Sequence, residues 1–221
     1  LDSKLIFLAT GVLLVAGTLF TLTMEWANDE TLGPMRADEK ATVALFHSTN
    51  TRTAGFSVVD QAELHDGTKV ATIGLMFVGG GAGSTAGGLK VGAFTLLLVV
   101  MVATIRGQQH VSIFRRKIPE QFINQATTLA LYFVALVFGF SLLLSTTTDA
   151  DFVNTMFEAV SALCTVGLSA AGTPSFGTGG HYILMVAMLV GRFSPLMIVL
   201  YMTKPRRRLD FRHPVDSVRL G

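Results

Sequence analysis

One cysteine, Cys164, stands in 221 residues. It excludes an internal disulfide and any metal cluster built on thiolates. Charge is also scarce: Asp, Glu, Lys and Arg make up 14% of the chain, where a soluble domain carries about 25%. His47, His65, His110, His181 and His213 show no ligand spacing, and His47 reads as a packed residue. No nucleophile–base pair is visible, so a hydrolytic enzyme is disfavoured. No cofactor and no nucleic-acid partner are expected. Residue 1 is Leu, and no signal-peptide pattern precedes the first hydrophobic run. The chain therefore reads as part of a longer one.

What is present are long uncharged runs. Residues 5–24 contain 20 residues without a charge, enough for a helix about 30 Å long and a membrane crossing. Another 28 lie between Glu120 and Asp149. Between Lys69 and Arg106 are 36 residues with one charge, Lys90. As one helix they would reach roughly 54 Å, so GGGAGSTAGG at 79–88 is expected to break them. Residues 181–203, interrupted by Arg192, complete four expected crossings. Residues 41–49 and 152–163 are too short to cross and read as re-entrant or interfacial helices. The expected fold is an all-α integral membrane protein.

The basic residues, among them Lys4, Arg106, Arg115, Arg116, Lys117, Lys204 and Arg206, fall in the N-terminus, the middle linker and the tail. The acids, among them Glu25, Asp38, Glu39, Asp60 and Asp149, fall in the other loops. The positive-inside rule puts both termini and the linker in the cytoplasm. The basic linker would also meet lipid headgroups.

Residues 51–57 read TRTAGFS and residues 163–169 read LCTVGLS, so the frame T-x-G-apolar-S occurs twice, 112 positions apart. The offset extends further, from 76–79 (MFVG) to 188–191 (MLVG) without a gap. Two tandem units follow: helix, re-entrant helix, extended T-x-G segment, helix. Unit one covers 1–106 with its extended segment at 52–56. Unit two covers 122–204 with its segment at 164–168. A linker at 107–121 and a tail at 205–221 complete the chain. Repeats of this kind place a transport site between symmetric parts. A re-entrant helix followed by an extended segment can aim backbone carbonyls at an axis, where they replace the hydration shell of a cation. Glycine suits such a turn because a Cβ would clash at positive φ. Phe56 and Leu168 are expected to pack outward and brace the two segments.

The stretches FHSTNTRTAGF (46–56), MFVGGGAGSTAGGLK (76–90), FRRKIPEQ (114–121), FEAVSALCTVGLS (157–169) and MLVGR (188–192) resemble the potassium-uptake membrane subunits of the Trk/Ktr/HKT superfamily, the Ktr type most of all. In that family four such units surround one pore, and this chain resembles the third and fourth. The resemblance implies a potassium filter at Arg52, Thr53, Ala54, Gly55 and Phe56 and at Cys164, Thr165, Val166, Gly167 and Leu168. Gly55 and Gly167 are its key glycines. It also implies an intramembrane gate below the filter, formed by Gly79, Gly80, Gly81, Ala82, Gly83, Ser84, Thr85, Ala86, Gly87 and Gly88. A cytosolic nucleotide-binding regulatory subunit, a homodimer and sodium coupling belong to the same implication. Cys164 stands where the family often has glycine, and Pro195 is a second departure. The alternatives are the potassium-binding subunit of a Kdp-type ATP-driven pump, or a fragment that conducts nothing.

The glycine run lacks the lysine of a phosphate-binding loop, because Leu89 occupies that position. Six glycines in ten residues weaken a helix by about 1 kcal/mol each relative to alanine, more than a passive kink needs. Arg192, mid-span, either holds this loop and faces the pore or pairs structurally. Lys90 either snorkels or anchors the loop. Arg52 is expected to brace the filter from behind, with Glu158 as one candidate partner. Glu158 could instead sit at an interface.

Overall fold

The computed structural model describes residues 2–81, 83–108, 112–113 and 116–192. Gate residue Ala82, linker residues 109–111 and 114–115, and everything after Arg192 lie outside the described residues. So do the second half of the fourth expected crossing, Pro195 and the tail at 205–221.

The uncharged runs become α1 (Asp2–Glu25) and α5 (Glu120–Ser145). Pro119 stands just before α5, where a missing N–H breaks no helical bond. Both helices are long and apolar enough to cross a membrane. Phe7, Leu8 and Val12 on α1 and Leu131, Phe138 and Leu142 on α5 are exposed. Apolar faces of that extent turn to lipid or to further protein.

The run from 70 to 105 breaks as expected, into α3 (Asp66–Phe77) and α4 (Val91–Ile105) with the glycine segment between them. At 12 and 15 residues, neither helix alone reaches the roughly 30 Å of a hydrocarbon core. The short helices also form. The helix α6 (Phe152–Leu163) has the bounds read from the sequence, whereas α2 (Ala37–Asn50) starts before residue 41. The Glu39 carboxylate accepts the Arg36 backbone N–H at 3.0 Å, and Asp38 and Glu39 in the first turn favour the positive end of the helix. The acids counted as loop therefore start the helix. The last element, α7 (Thr178–Arg192), follows a 3-10 turn at Thr173–Ser175. Its first residue lies 112 positions after that of α3. Among the described residues the fold is helical apart from a two-residue antiparallel ladder in the linker, β1 (Ser112–Ile113) on β2 (Arg116–Lys117), and a single parallel bridge between Val78 and Leu89.

The helix α6 sits at the centre. Its Phe157, Val160 and Leu163 pack with Ile73 and Met76 of α3, Phe133 and Val137 of α5, and Leu184 and Ala187 of α7. The Phe77 and Phe133 rings meet edge to face at 5.9 Å. In the first unit α1 lies on α2, where Gly17 lets the Ser48 hydroxyl approach closely and donate to the Leu14 carbonyl at 3.0 Å.

Candidate functional site

The two T-x-G segments leave α2 and α6 by matching backbone turns. Thr53 and Thr165 have φ of 68° and 54°, and Gly55 and Gly167 have 77° and 95°. The residues between them, Ala54 and Val166, are not left-handed. The offset of 112 thus reappears as a repeated alternation of backbone hand. Glycine adopts this region freely, but a β-branched threonine there costs about 1–3 kcal/mol and persists only where its surroundings hold it. Hydrogen bonds back to the preceding helix do so. Ala54 N–H donates to Asn50 O at 3.2 Å and Val166 N–H to Ser161 O at 2.9 Å. Gly167 N–H donates to the Ser161 hydroxyl at 3.2 Å.

The segments meet at their glycines. A Cβ added to Gly55 would lie 2.5 Å from the Val166 carbonyl oxygen, and one added to Gly167 would lie 3.4 Å from the Gly55 Cα. Beside this meeting point a recess of about 440 Å³ is bounded by Gly55, Gly167, Ser57, Asp60, Gln61 and Ser169. Its lining includes the Asp60 carboxylate and the Ser57 and Ser169 hydroxyls together with Val58, Val59 and Leu168.

Two expectations about bracing are corrected, the pairing of Arg52 with Glu158 and the packing of Phe56. Glu158 accepts hydrogen bonds from the Ser169 hydroxyl and from Ala171 N–H at 3.2 Å, so it braces its own unit's segment and not Arg52. The Arg52 guanidinium nitrogens are buried without a hydrogen-bond partner among the described residues. Its candidate partner is already engaged by donors that lie closer along the chain. Phe56 is 70% exposed while Leu168 is 3% exposed. Leu168 belongs to the core around α6, and among the described residues nothing comparable covers Phe56.

The glycine segment is a loop pinched at its neck. Gly79 N–H donates to Leu89 O, Leu89 N–H to Phe77 O and Val91 N–H to Gly80 O, at 2.9, 3.0 and 3.2 Å. Two cations hold the tip. Lys90 Nζ donates to Ser84 O at 2.9 Å and Ala86 O at 2.6 Å, the anchoring alternative. An Arg192 guanidinium nitrogen donates to Thr85 O at 2.7 Å. Three successive carbonyls are therefore tied by one cation from each unit. Neither cation forms an ion pair among the described residues. Beside them lies a cavity of about 190 Å³ lined by Ala93, Leu129, Phe133 and Gly191 as well. The far end of the loop touches the second T-x-G segment, where Gly87 N–H donates to the Thr165 hydroxyl oxygen at 3.2 Å. Gly88 lies against the Cys164 sulfur. Cys164 is fully buried, so its small side chain occupies the seam between loop and segment. His47 is buried and hydrogen-bonds Thr72 at 3.1 Å.

Glu25 was missed as anything but a loop acid. It is fully buried and accepts from Asn28 Nδ2 at 2.6 Å, Thr31 Oγ1 at 2.8 Å, His65 N–H at 3.0 Å and the Thr68 hydroxyl. It ties the end of α1 to the start of α3. No local pattern could have announced this, because two of its donors lie 40 and 43 residues away.

The family TrkH, described as cation transport protein, matches residues 3–208. The chain is 34% identical over 221 residues to the Ktr system potassium uptake protein B of Bacillus subtilis (strain 168), covering all of this chain and 49% of that protein. To the Ktr system potassium uptake protein B of Vibrio alginolyticus it is 32% identical, covering all of this chain and 48% of that protein. The chain spans about half the length of the curated relatives it matches. The crystal structure of the potassium transporter TrkH from Vibrio parahaemolyticus superposes with a TM-score of 0.69 at 19% identity. It covers 92% of this chain and 44% of that one, and is similar in fold.

Proposed function

The chain belongs to the TrkH family of cation transport proteins, and from that premise we propose that it supplies two pore units of a potassium-uptake membrane subunit. The observation that carries the reading is the doubled alternation of backbone hand at Thr53/Gly55 and Thr165/Gly167. Such alternation turns successive carbonyls to one side, the arrangement a dehydrated cation needs. Irregular backbone of this kind is tolerated at membrane depth where it is buried or lines a water-filled path. In this reading residues 52–56 and 164–168 are filter strands, and 79–88 is a gate held shut by Lys90 and Arg192. Potassium is transported cargo, with sodium coupling left open. The reading is of conduction and not of an enzyme.

The same symmetry supports a larger ring. Where unit one meets unit two, Ile73 and Met76 of α3 are buried against α6. Their mates 112 positions on, Met185 and Met188 of α7, are 55% and 48% exposed. On the other side Leu45, the mate of buried Phe157, is half exposed. Each open face is the counterpart of one that unit meets unit across, so two further units would cover both. The termini and linker are placed in the cytoplasm by their basic residues. There a nucleotide-binding regulatory subunit would dock, and a homodimer is the expected assembly.

Potassium and sodium uptake by the full-length protein in transport-deficient cells tests the reading. Gly55→Ser and Gly167→Ser should each weaken preference for potassium, because serine cannot hold the left-handed turn without strain. Unaltered selectivity in both variants would sink the filter assignment.

A further inference from the structure

Thr165 has a bond that its mate Thr53 does not. Its hydroxyl oxygen accepts the Gly87 N–H at 3.2 Å, whereas the Thr53 hydroxyl has no such partner among the described residues. The loop backbone also lies flat on this segment. A Cβ added to Gly87 would sit 2.5 Å from the Cys164 carbonyl oxygen and 2.8 Å from Thr165 Oγ1. The opposite side of the tip is held through Ser84, Thr85 and Ala86 carbonyls by Lys90 and Arg192. The tip is therefore clasped between two cations and one hydroxyl, above a neck that is closed by its own backbone. It has no other side-chain hydrogen bond reaching beyond the loop among the described residues.

We infer that Thr165 is a positioning residue for gating: its hydroxyl latches the loop to the second filter strand, so the tip cannot swing away without releasing that strand. This rests on the gate reading above. It assigns unequal duties to two threonines that the repeat makes equivalent. Thr53 serves the filter, and Thr165 serves the filter and the gate. The neck bonds stay intact when the tip moves, so the latch and the two cation contacts are what opening must break.

The test compares basal potassium flux of the full-length protein, without its regulatory subunit, in loop-intact and loop-deleted (81–87) backgrounds. With the loop intact, Thr165→Val should raise basal flux by about two- to tenfold, the range that one net hydrogen bond supplies. Thr165→Ser, which keeps the hydroxyl, should raise basal flux far less than Thr165→Val. In the loop-deleted background Thr165→Val should keep only the smaller factor that comes from the filter, while Thr53→Val should change flux by one common factor in both backgrounds. A Thr165→Val factor that is the same with and without the loop would mean that the hydroxyl acts on the ion alone, and would overturn the latch. A loop deletion that itself leaves flux unchanged would overturn the gate reading first and the latch with it. Amide exchange on purified protein gives an independent reading: Gly87 should exchange faster in Thr165→Val and not in Thr165→Ser. Equal protection in both would also overturn the proposal.

Discussion

The segment at residues 53–55 and the segment at residues 165–167 share one alternation of φ, but different neighbours hold them. The second is braced by a carboxylate on its own short helix, Glu158, through Ser169 and Ala171. The position equivalent to Glu158 in the first unit is Phe46, an exposed residue. There Ser57 donates to Val59 O and accepts from Gln61 Nε2 at 2.8 Å. The T-x-G frame and the helix before it are thus enough to set the turn, and the brace is a separate feature that each unit solves in its own way. The second segment is also walled in by Cys164, Val166 and Leu168, all buried, whereas the first is open at Phe56.

The two glycines give the largest expected effects and break the symmetry most directly. A side chain at Gly55 meets backbone at 2.5 Å and one at Gly167 meets it at 3.4 Å. Gly55→Ser should therefore cost more selectivity than Gly167→Ser. With left-handed strain of about 1–2 kcal/mol alone, the potassium preference at Gly55 should fall roughly tenfold or more. Equal losses in uptake assays would mean that the segments are interchangeable. Next in size is Glu158→Ala, which strands the Ser169 hydroxyl and the Ala171 N–H. Both groups are half-buried, so the loss lies at the low end of the about 1–3 kcal/mol that an unpaired buried group costs, and the purified protein should melt a few degrees lower. Glu158→Gln should recover part of the loss, and an unchanged melting temperature would remove the brace from the comparison.

Arg192→Ala should act on flux and not on stability. The side chain is exposed and its bond is to a loop carbonyl, so removing it leaves no buried partner charge. A loss of about 1 kcal/mol from the closed state raises basal flux roughly fivefold. Lost stability without a gain in flux would return Arg192 to a structural role. The smallest effect belongs to Gln61→Ala. It removes two hydrogen bonds, to Ser57 Oγ and Val59 O, and also an amide oxygen that has no partner among the described residues. A net change within about 1 kcal/mol is expected in thermal melts. A loss matching that of Glu158→Ala would make the two braces equal.

Features set by nearby residues were legible in the sequence. The bounds of α6, the break of the 70–105 run and the doubled frame all follow from local apolar runs and glycines. Even the early start of α2 follows from Glu39 three residues after Arg36. Pairings across the fold were not legible. Glu158 looked like a partner for Arg52 because both are charged and near a filter segment, yet two nearer donors hold it. Glu25 gathers donors from two stretches of chain, and Phe56 and Leu168 differ only in what surrounds them. Lys90 offered two readings on charge alone, and the position of two carbonyls decided between them.

The loop's clasp has a consequence for how the molecule is made. Lys90 belongs to the first unit and Arg192 to the last turn of the described second unit, yet both grip adjacent carbonyls of one tip. A nascent chain that has inserted only the first unit holds its loop by one cation. The segment carrying Thr165 has not yet been synthesised at that stage. In the gate reading proposed above, sealing follows the insertion of both units. A ribosome that stalls between the two units would leave this loop without its Thr165 and Arg192 contacts.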